Sequence, residues 1–523
     1  MILARGGADA LVAALSFALD TVLACLQQDY EGPYVIHVLD DGGDDKLRDW
    51  VESMAAEGHA KRLQYIRREK KPGVPHHFKA GNMNHALGLT SAPYIAQLDA
   101  DMIPTPNFLS RLMAEVVADP KVAYAYCPQS FYNWGAMDVM DDHQMSNYLT
   151  LSSHCGMSSV GLGPNGGSGV VWRREALAEI NGFRTESLGE DYLTSYDLLA
   201  RGWKSVYVRE PMQTGLIPWT AQAWLKQHHR WAICGLEQCS LLFKHVLTSP
   251  HLNFKQKYLL LAAALPARYM MMAMFLGSTA MLAVMSYLWL ATVRADGATI
   301  DSPLLRIALY VGVAAMAASQ LMSALQYIDL PVAWLWVMIV RQVGLVVEAP
   351  YSLWWAFCFM AGRDGGWKAT GKYNTGPEGP GLLSALRRMA ANTWLVGWNL
   401  VLWAAGVAVL SVMTARILKC GHPFWAVLIG GLLVTMVVMV IPLLMPLYYY
   451  ACCMPKPSER AAMVPRDPIS GVPTIDPAYV MPKIHVGIVT ALSIPVVVTF
   501  AFGVAVIVAS VVFPPGYEHR LFC

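Results

Sequence analysis

The chain has 523 residues, 55% of them hydrophobic and only 15% charged, where a soluble enzyme of this size carries about a quarter charged residues. A formal net charge of +2, with no basic patch beyond isolated Lys/Arg pairs, leaves no reason to expect a nucleic-acid partner. The charge deficit is local: up to about residue 250 the composition is that of an ordinary charged domain, and long apolar runs follow.

The opening MILARGGADALVAALSFALDTVLACLQQDY reads as a worn strand followed by an amphipathic helix, with no signal peptide expected ahead of it. From residue 34, YVIHVLDDGG is a β-branched run that ends abruptly in acid and glycine. It predicts a buried strand that delivers Asp40 and Asp41 where open α/β sheets place ligands. In PHHFKAGNMNHAL, Lys79 and the flexible Gly81 precede a helix expected to start near Asn82 or Asn84. A lysine beside a helix N-terminus suits an anionic group. The next predicted strand, APYIAQLDADMIP, ends in Asp99-Ala100-Asp101, and alternation is expected to hold both carboxylates on one side of the strand end. Such oxygens, with phosphate oxygens and water, suit a hard divalent ion. A lone Asp-x-Asp is more readily a pair of loop caps, but two acidic strand ends in one α/β domain point to a metal-diphosphate site.

The stretch GPNGGSGVVWRREALAEINGFRTESLGEDYLTSYDLLARGWKSVY comes next. Gly161, Gly163, Gly166, Gly167 and Gly169 allow close backbone approach to a ligand. A helix is expected over 174–181, and Glu190-Asp191 opens another. Those carboxylates are either a helix cap or a general base that removes a proton from an attacking hydroxyl. Then WTAQAWLKQHHRWAICGLEQ sets cationic and protonatable groups against tryptophans, and 222–245 reads as a membrane-surface helix. Beyond it, 267–291, 304–327, 394–416, 424–448 and 485–513 are runs of roughly the 20 apolar residues that span a bilayer. The segment 333–360 is apolar too, but Arg341, Glu348 and several tryptophans suit an interfacial or re-entrant helix. Positive residues gather in 363–390 and 449–484, whereas 292–303 has only Arg294 and 417–423 only Lys419. The positive-inside rule puts the two richer loops in the cytosol with the N-terminal domain. The ten cysteines lack metal spacing and are expected reduced; Cys452-Cys453 fall at a cytosolic membrane edge suited to palmitoylation.

Asp40-Asp41-Gly42, Lys79-Ala80-Gly81-Asn82, Asp99-Ala100-Asp101, Glu190-Asp191 and Gln227-x-x-Arg230-Trp231 fall in the order and rough spacing of the processive family-2 glycosyltransferases. Any one of these motifs is weak; the ordered set is specific. The chain most resembles the cellulose synthases and cellulose-synthase-like β-glucan synthases, over about residues 10–375, and VPHHFKAGNMNH and ESLGEDYLTS are similar to the fungal members. Trp367-Lys368-Ala369-Thr370-Gly371-Lys372 resembles the Phe-x-Val-Thr-x-Lys gating loop of the cellulose synthases.

The resemblance implies a GT-A-type α/β nucleotide-sugar glycosyltransferase domain followed by an α-helical multi-span transmembrane channel domain. It divides the chain into a cytosolic catalytic domain (1–221), interfacial helices with the Gln-x-x-Arg-Trp box (222–266), transmembrane helices with the interfacial segment (267–362), a cytosolic gating-type loop (363–390) and further spans (391–523) with the cytosolic loop 449–484. It implies that Asp40 and Asp41 bind the donor nucleotide, that Lys79 sits near its phosphates, and that Asp99 and Asp101 bind the nucleotide with Mg2+ or Mn2+. Asp191, paired with Glu190, would be the base; Gln227 and Arg230 would line the diphosphate and acceptor side; Trp231 would stack under the acceptor sugar; Thr370 and Lys372 would close over the nucleotide. The implied activity is inverting transfer of glucose from UDP-glucose to a growing β-glucan, β-1,4 or mixed β-1,3/1,4, which is then moved across the membrane. Trp394, Trp398 and Trp403 read either as lining residues of that path or as interfacial anchors. Membrane lipid, a homo-oligomer and accessory subunits are the further partners implied, and the plasma membrane is the implied location. A chitin or hyaluronan synthase, or a catalytically impaired homologue acting as a scaffold, are the alternatives.

Three features depart from the family pattern. Gly189 stands where Thr-Glu-Asp has its threonine, and Pro164-Asn165-Gly166-Gly167-Ser168 replaces Phe-x-Cys-Gly-Ser beneath the acceptor. The residues ILARGGAD take the place of a full first strand, with no spans ahead of them, as in an incomplete N-terminus or a shortened paralogue.

Overall fold

The β-branched and aromatic runs between residues 34 and 207 build one large sheet. The computed structural model describes residues 2–4, 11–59, 62–131, 154–215 and 221–264. It adds short pieces at 354–355, 357–362 and 466–468 and single helical positions between 401 and 411. The main sheet contains β1 (Ile2–Ala4), β2 (Ile36–Asp40), β3 (Leu63–Ile66), β4 (Tyr94–Asp99), β6 (Val122–Tyr126), β8 (Val170–Arg173) and β9 (Lys204–Tyr207), in the order β3-β2-β1-β4-β8-β6-β9. A second sheet joins β5 (Ile103–Pro104), β10 (Gln213–Gly215) and β7 (Ser130–Phe131) in that order. Strands β1 to β4 run parallel, and β8 lies antiparallel between β4 and β6. This is the GT-A-type sheet that the resemblance implies. The worn first strand is only three residues long, yet it sits between β2 and β4, with Leu3 opposite both Leu39 and Asp99. Its short backbone therefore aligns the two acidic strand ends.

Alternation divides the strands between two apolar layers. Val38, Ala125 and Val171 join Val22 of α1 (Leu11–Leu26), Val51 of α2 (Asp45–Met54) and Leu112 of α4 (Phe108–Ala118). Their neighbours Leu39, Tyr124 and Trp172 join Met83 of α3 (Phe78–Gly88) and Leu177 of α6 (Arg174–Glu179). Because both faces are covered there, β2 and β6 are buried at every residue. Trp172 is the largest fully buried side chain: it packs on Tyr124 at 4.6 Å between ring centroids, meets Phe183 edge-on, and donates its indole N–H to Gln97 at 2.8 Å.

The remaining helices are α5 (Cys155–Ser158), α7 (Glu190–Ala200), α8 (Ala221–Thr248) and α9 (Phe254–Ala264). Two sequence expectations are corrected. Helix α3 begins at Phe78, so Lys79, Gly81 and Asn82 lie in its first turns rather than ahead of them. Strand β4 ends at Asp99, so Asp101 is placed by the turn after it, in which the Met102 N–H donates to the Asp99 carbonyl at 3.0 Å, and not by alternation. That turn is held from α1, where the buried Thr21 hydroxyl donates to the Ala100 carbonyl at 2.8 Å. Its neighbour Asp20, also buried, accepts two bonds from Arg466, both 2.7 Å.

The predicted spans 267–291, 304–327, 424–448 and 485–513 lie outside the described residues, as does nearly all of 394–416. Among the described residues, no helix is long and apolar enough to cross a membrane. Trp354, Phe357 and Met360, from the predicted interfacial segment, are helical and exposed.

Replacing Trp172 with Phe keeps an aromatic ring in the layer but removes the donor that satisfies the buried Gln97 carbonyl. The expected loss is about 1–3 kcal/mol of stability, read as a lower melting temperature of the detergent-purified full chain.

Candidate active site

At the end of β2, two adjacent aspartates have different roles. Asp40 is 1% exposed, and its carboxylate accepts the backbone N–H groups of Gly42 (2.7 Å), Gly43 (3.0 Å) and Asp44 (2.6 Å) and the Tyr65 hydroxyl (2.8 Å). Three of these donors belong to the loop and the fourth to β3, so Asp40 shapes that loop. Asp41 is the outward-facing member. It accepts a two-pronged bond from Arg68, at 2.7 and 2.6 Å, with Lys70 at 3.6 Å. Arg68 also donates to the carbonyls of His76 (2.6 Å) and Phe78 (3.0 Å), binding the β2 end to the entry of α3. Gly81 belongs to this joint, because a Cβ there would overlap the His76 carbonyl. His77 and Phe78 both have positive φ, 53° and 44°, a conformation that costs roughly 1–2 kcal/mol for each non-glycine residue. They turn the chain so that Lys79 points back towards the sheet.

Lys79 is the centre of the site. Its ammonium is 2.6 Å from Asp99 and 3.5 Å from Glu190, and it donates to the Gly167 carbonyl at 2.7 Å. Three separated segments, the β4 end, the start of α7 and the glycine-rich loop, therefore meet at one cation. The loop is fixed from beneath. Gln97 donates to the same Gly167 carbonyl (2.7 Å); the Ser168 hydroxyl accepts the Asp99 N–H (3.0 Å) and donates to Gln213 (2.8 Å). Gly167 has φ +95°, and a Cβ there would stand 2.6 Å from a carboxylate oxygen of Asp191. The departure Pro164-Asn165-Gly166-Gly167-Ser168 thus forms an ordered floor, with the fully buried Asn165 accepting from the Gly167 N–H.

Glu190 and Asp191 are the first two residues of α7. The Asp191 carboxyl is pushed up to about 7, first by desolvation and then by the charge of Glu190; Lys79 and the Tyr192 N–H act against the rise. A carboxylate held near neutrality suits proton abstraction at physiological pH.

Gln227, Arg230 and Trp231 lie on α8, partly buried. The paired histidines, without a role in the sequence reading, are packing groups: His228 lies against Trp231 at 5.1 Å, and His229 against Trp355 at 4.9 Å between ring centroids. One and two turns further along, Cys234, Glu237 and Gln238 of α8 pack on the turn before α7. The gating-type residues Thr370 and Lys372 lie outside the described residues.

Among the described residues no three His, Cys, Asp or Glu side chains converge on one point as a metal site. Asp99 and Asp101 supply hard carboxylate oxygens at one turn, which fits Mg2+ or Mn2+ when diphosphate oxygens and water complete the shell. Arg68, Gln97 and Gln213 escape the sequence reading. Only Arg68 leaves a trace there, in the basic run RREKK that directly follows β3.

Substituting Gly167 with Ala forces a side chain into a left-handed position and against Asp191. A loss of at least about 1 kcal/mol is expected, measured by thermal melting beside the wild type.

Parts of this sequence are similar to known proteins. Residues 14–164 match the profile described as Glycosyl transferase family 2, and residues 94–295 that described as Glycosyl transferase family group 2. The cellulose synthase catalytic subunit [UDP-forming] of Komagataeibacter sucrofermentans is 34% identical over 229 residues, covering 42% of this chain and 28% of that protein. Its counterpart in Pseudomonas fluorescens is 31% identical over 230 residues, covering 42% of this chain and 29% of that protein. The match thus spans less than a third of the length of either relative. Among solved structures, the mannosyltransferase PcManGT from Pyrobaculum calidifontis, in complex with GDP-Man and Mn2+, aligns at a TM-score of 0.41 and 17% identity, over 69% of this chain and 87% of that one. The chain carries a family-2 glycosyltransferase domain that is cellulose-synthase-like in sequence.

Proposed function

We propose that the protein is a membrane-embedded, processive, inverting glycosyltransferase that transfers glucose from UDP-glucose to the end of a growing β-glucan and passes the polymer through its own spans. The observation that carries this reading is the gathering of Lys79, Asp99, Glu190 and Asp191 around the glycine floor, one helix face away from the Gln-x-x-Arg-Trp box.

Each residue has a defined task. Asp41, oriented by Arg68, accepts from the nucleobase, and Lys79 meets the diphosphate once the donor draws it from Asp99. Asp99 and Asp101 hold a Mg2+ or Mn2+ ion together with the donor, and when bound the ion supplies positive charge against the departing diphosphate. Asp191 takes the proton from the acceptor hydroxyl as that oxygen attacks the anomeric carbon. Attack opposite the leaving group turns an α-linked donor into a β-linked product without a covalent enzyme intermediate. Arg230 faces the diphosphate side, and Trp231 offers its ring to the C–H face of the acceptor sugar. Thr370 and Lys372 close over the nucleotide.

The test supplies membranes containing the protein with radiolabelled UDP-glucose or UDP-N-acetylglucosamine, Mg2+ or Mn2+, and then digests any product with linkage-specific glucanases and chitinase. Polymer from UDP-glucose that glucanases degrade is expected. Polymer from UDP-N-acetylglucosamine alone removes the glucan reading, and no polymer from either donor favours a scaffold.

The pH dependence has a defined sign. Asp191 works as the carboxylate, so kcat/KM rises from acid towards neutrality with its half-point near about 7. Glu190→Gln removes the neighbouring charge and moves that half-point down. The group's effect on folding runs the other way: the folded chain holds this proton more tightly than the unfolded one. Its contribution to stability is therefore full below the ordinary 3.8 and declines as pH rises to about 7. A rate profile flat from pH 5 to 8 contradicts the assignment of Asp191 as the base.

A further inference from the structure

Helix α7 starts without a side-chain cap of its own, because its leading residue is Gly189. The turn before it is held from another helix. Glu237 of α8 accepts the Ser187 hydroxyl at 2.7 Å and the Leu188 N–H at 3.3 Å. Gln238, 5% exposed, donates to the Gly189 carbonyl at 3.0 Å. That carbonyl also accepts the Leu193 N–H at 3.2 Å, the first bond of α7. A Cβ at position 189 would overlap the Gln238 amide and come within 3.0 Å of the Cys234 Cβ. The glycine is therefore the space that α8 occupies.

Helical periodicity makes this contact part of the acceptor side. Residues 227, 230, 231, 234 and 238 fall at i, i+3, i+4, i+7 and i+11, a single face of α8. The Gln-x-x-Arg-Trp box and the brace on the base turn therefore move as one rigid element. Asp197, two turns into α7 and 1% exposed, extends the seam: its carboxylate lies 3.1 Å from the Nε2 of His245 of α8.

We propose that Glu237 and Gln238 are positioning residues that set the base Asp191 against the acceptor, and that Gly189 stands in this chain to admit them. The proposal rests on the reading of Asp191 as general base. It assigns a physical cause to the departure from Thr-Glu-Asp: the cap that a threonine side chain offers is replaced by two groups of the helix that binds the acceptor.

The test uses the full chain in membranes, with both labelled donors for turnover and UDP titration for binding. Gln238→Ala and Glu237→Gln are expected to lower kcat on the order of ten- to a hundredfold, the scale of a misplacement near 1 Å, while donor KM and UDP affinity hold. Gly189→Thr is expected to lose at least as much. Gly189→Thr combined with Gln238→Ala is expected to recover turnover above Gly189→Thr alone, because the second change vacates the space that the threonine needs. A purely structural contact would give equal losses in UDP affinity and turnover, with no recovery in the double variant, and either result overturns the proposal. Single variants with kcat within twofold of wild type overturn it as well. Asp191→Asn, run in parallel, separates the two readings. Lost elongation with UDP binding intact upholds the base, whatever the brace variants do. Full activity in Asp191→Asn removes the base, and the brace with it.

Discussion

The site depends on one ammonium group. Asp99, Asp101, Glu190 and Asp191 bring four carboxylates to one small region, and four such groups repel one another unless a cation stands among them. Lys79 supplies it, touching Asp99 and approaching Glu190 while fastening the glycine floor through the Gly167 carbonyl. The surrounding structure serves this placement. The left-handed pair His77-Phe78 aims the first turn of α3, Arg68 pins that turn to the β2 end, and Gly81 keeps the joint thin enough to close.

Acidic groups were the most legible part of the site. Asp99 and Glu190-Asp191 stand out as a set: each alone could cap a loop or a helix, but acidic strand ends and an acidic helix start in one α/β domain point to a shared site. What sequence could not separate was Asp40 from Asp41. Adjacent, identical residues differ only in which way the loop turns, and the glycines after them let the backbone fold back onto Asp40. The start of α3 was misplaced by the same kind of cause. Ordinary propensity does not foresee two left-handed residues at the very start of a helix. The sheet was easier to read, since central strands such as β2 and β6 are buried at every residue and show as β-branched and aromatic runs. ILARGGAD reads only as a worn strand, and its central place comes from the pairing of Ile2–Ala4 with β2 on one side and β4 on the other.

The least legible layer is the one that joins motifs. Gln97, Ser168 and Gln213 are unremarkable polar residues in the chain, and only burial makes their hydrogen bonds obligatory. Likewise His228 and His229 look like chemistry in isolation. In the fold they are spacers, one packed against the tryptophan of the acceptor box and the other carrying that helix onto Trp355. A polar cluster beside an apolar stretch is ambiguous until the partner surface is known.

The pair Asp20–Arg466 has a consequence for how the protein is made. Its two members are 446 positions apart, and α1 emerges from the ribosome long before residue 466 exists. During that interval a carboxylate destined for the interior has no guanidinium to meet, so its end of α1 keeps its contact with water. Thr21, which steadies the Asp99–Asp101 turn, lies on that same end. The ion pair that closes over this end of α1 therefore forms only after residue 466 has been made, later than the local contacts of the sheet.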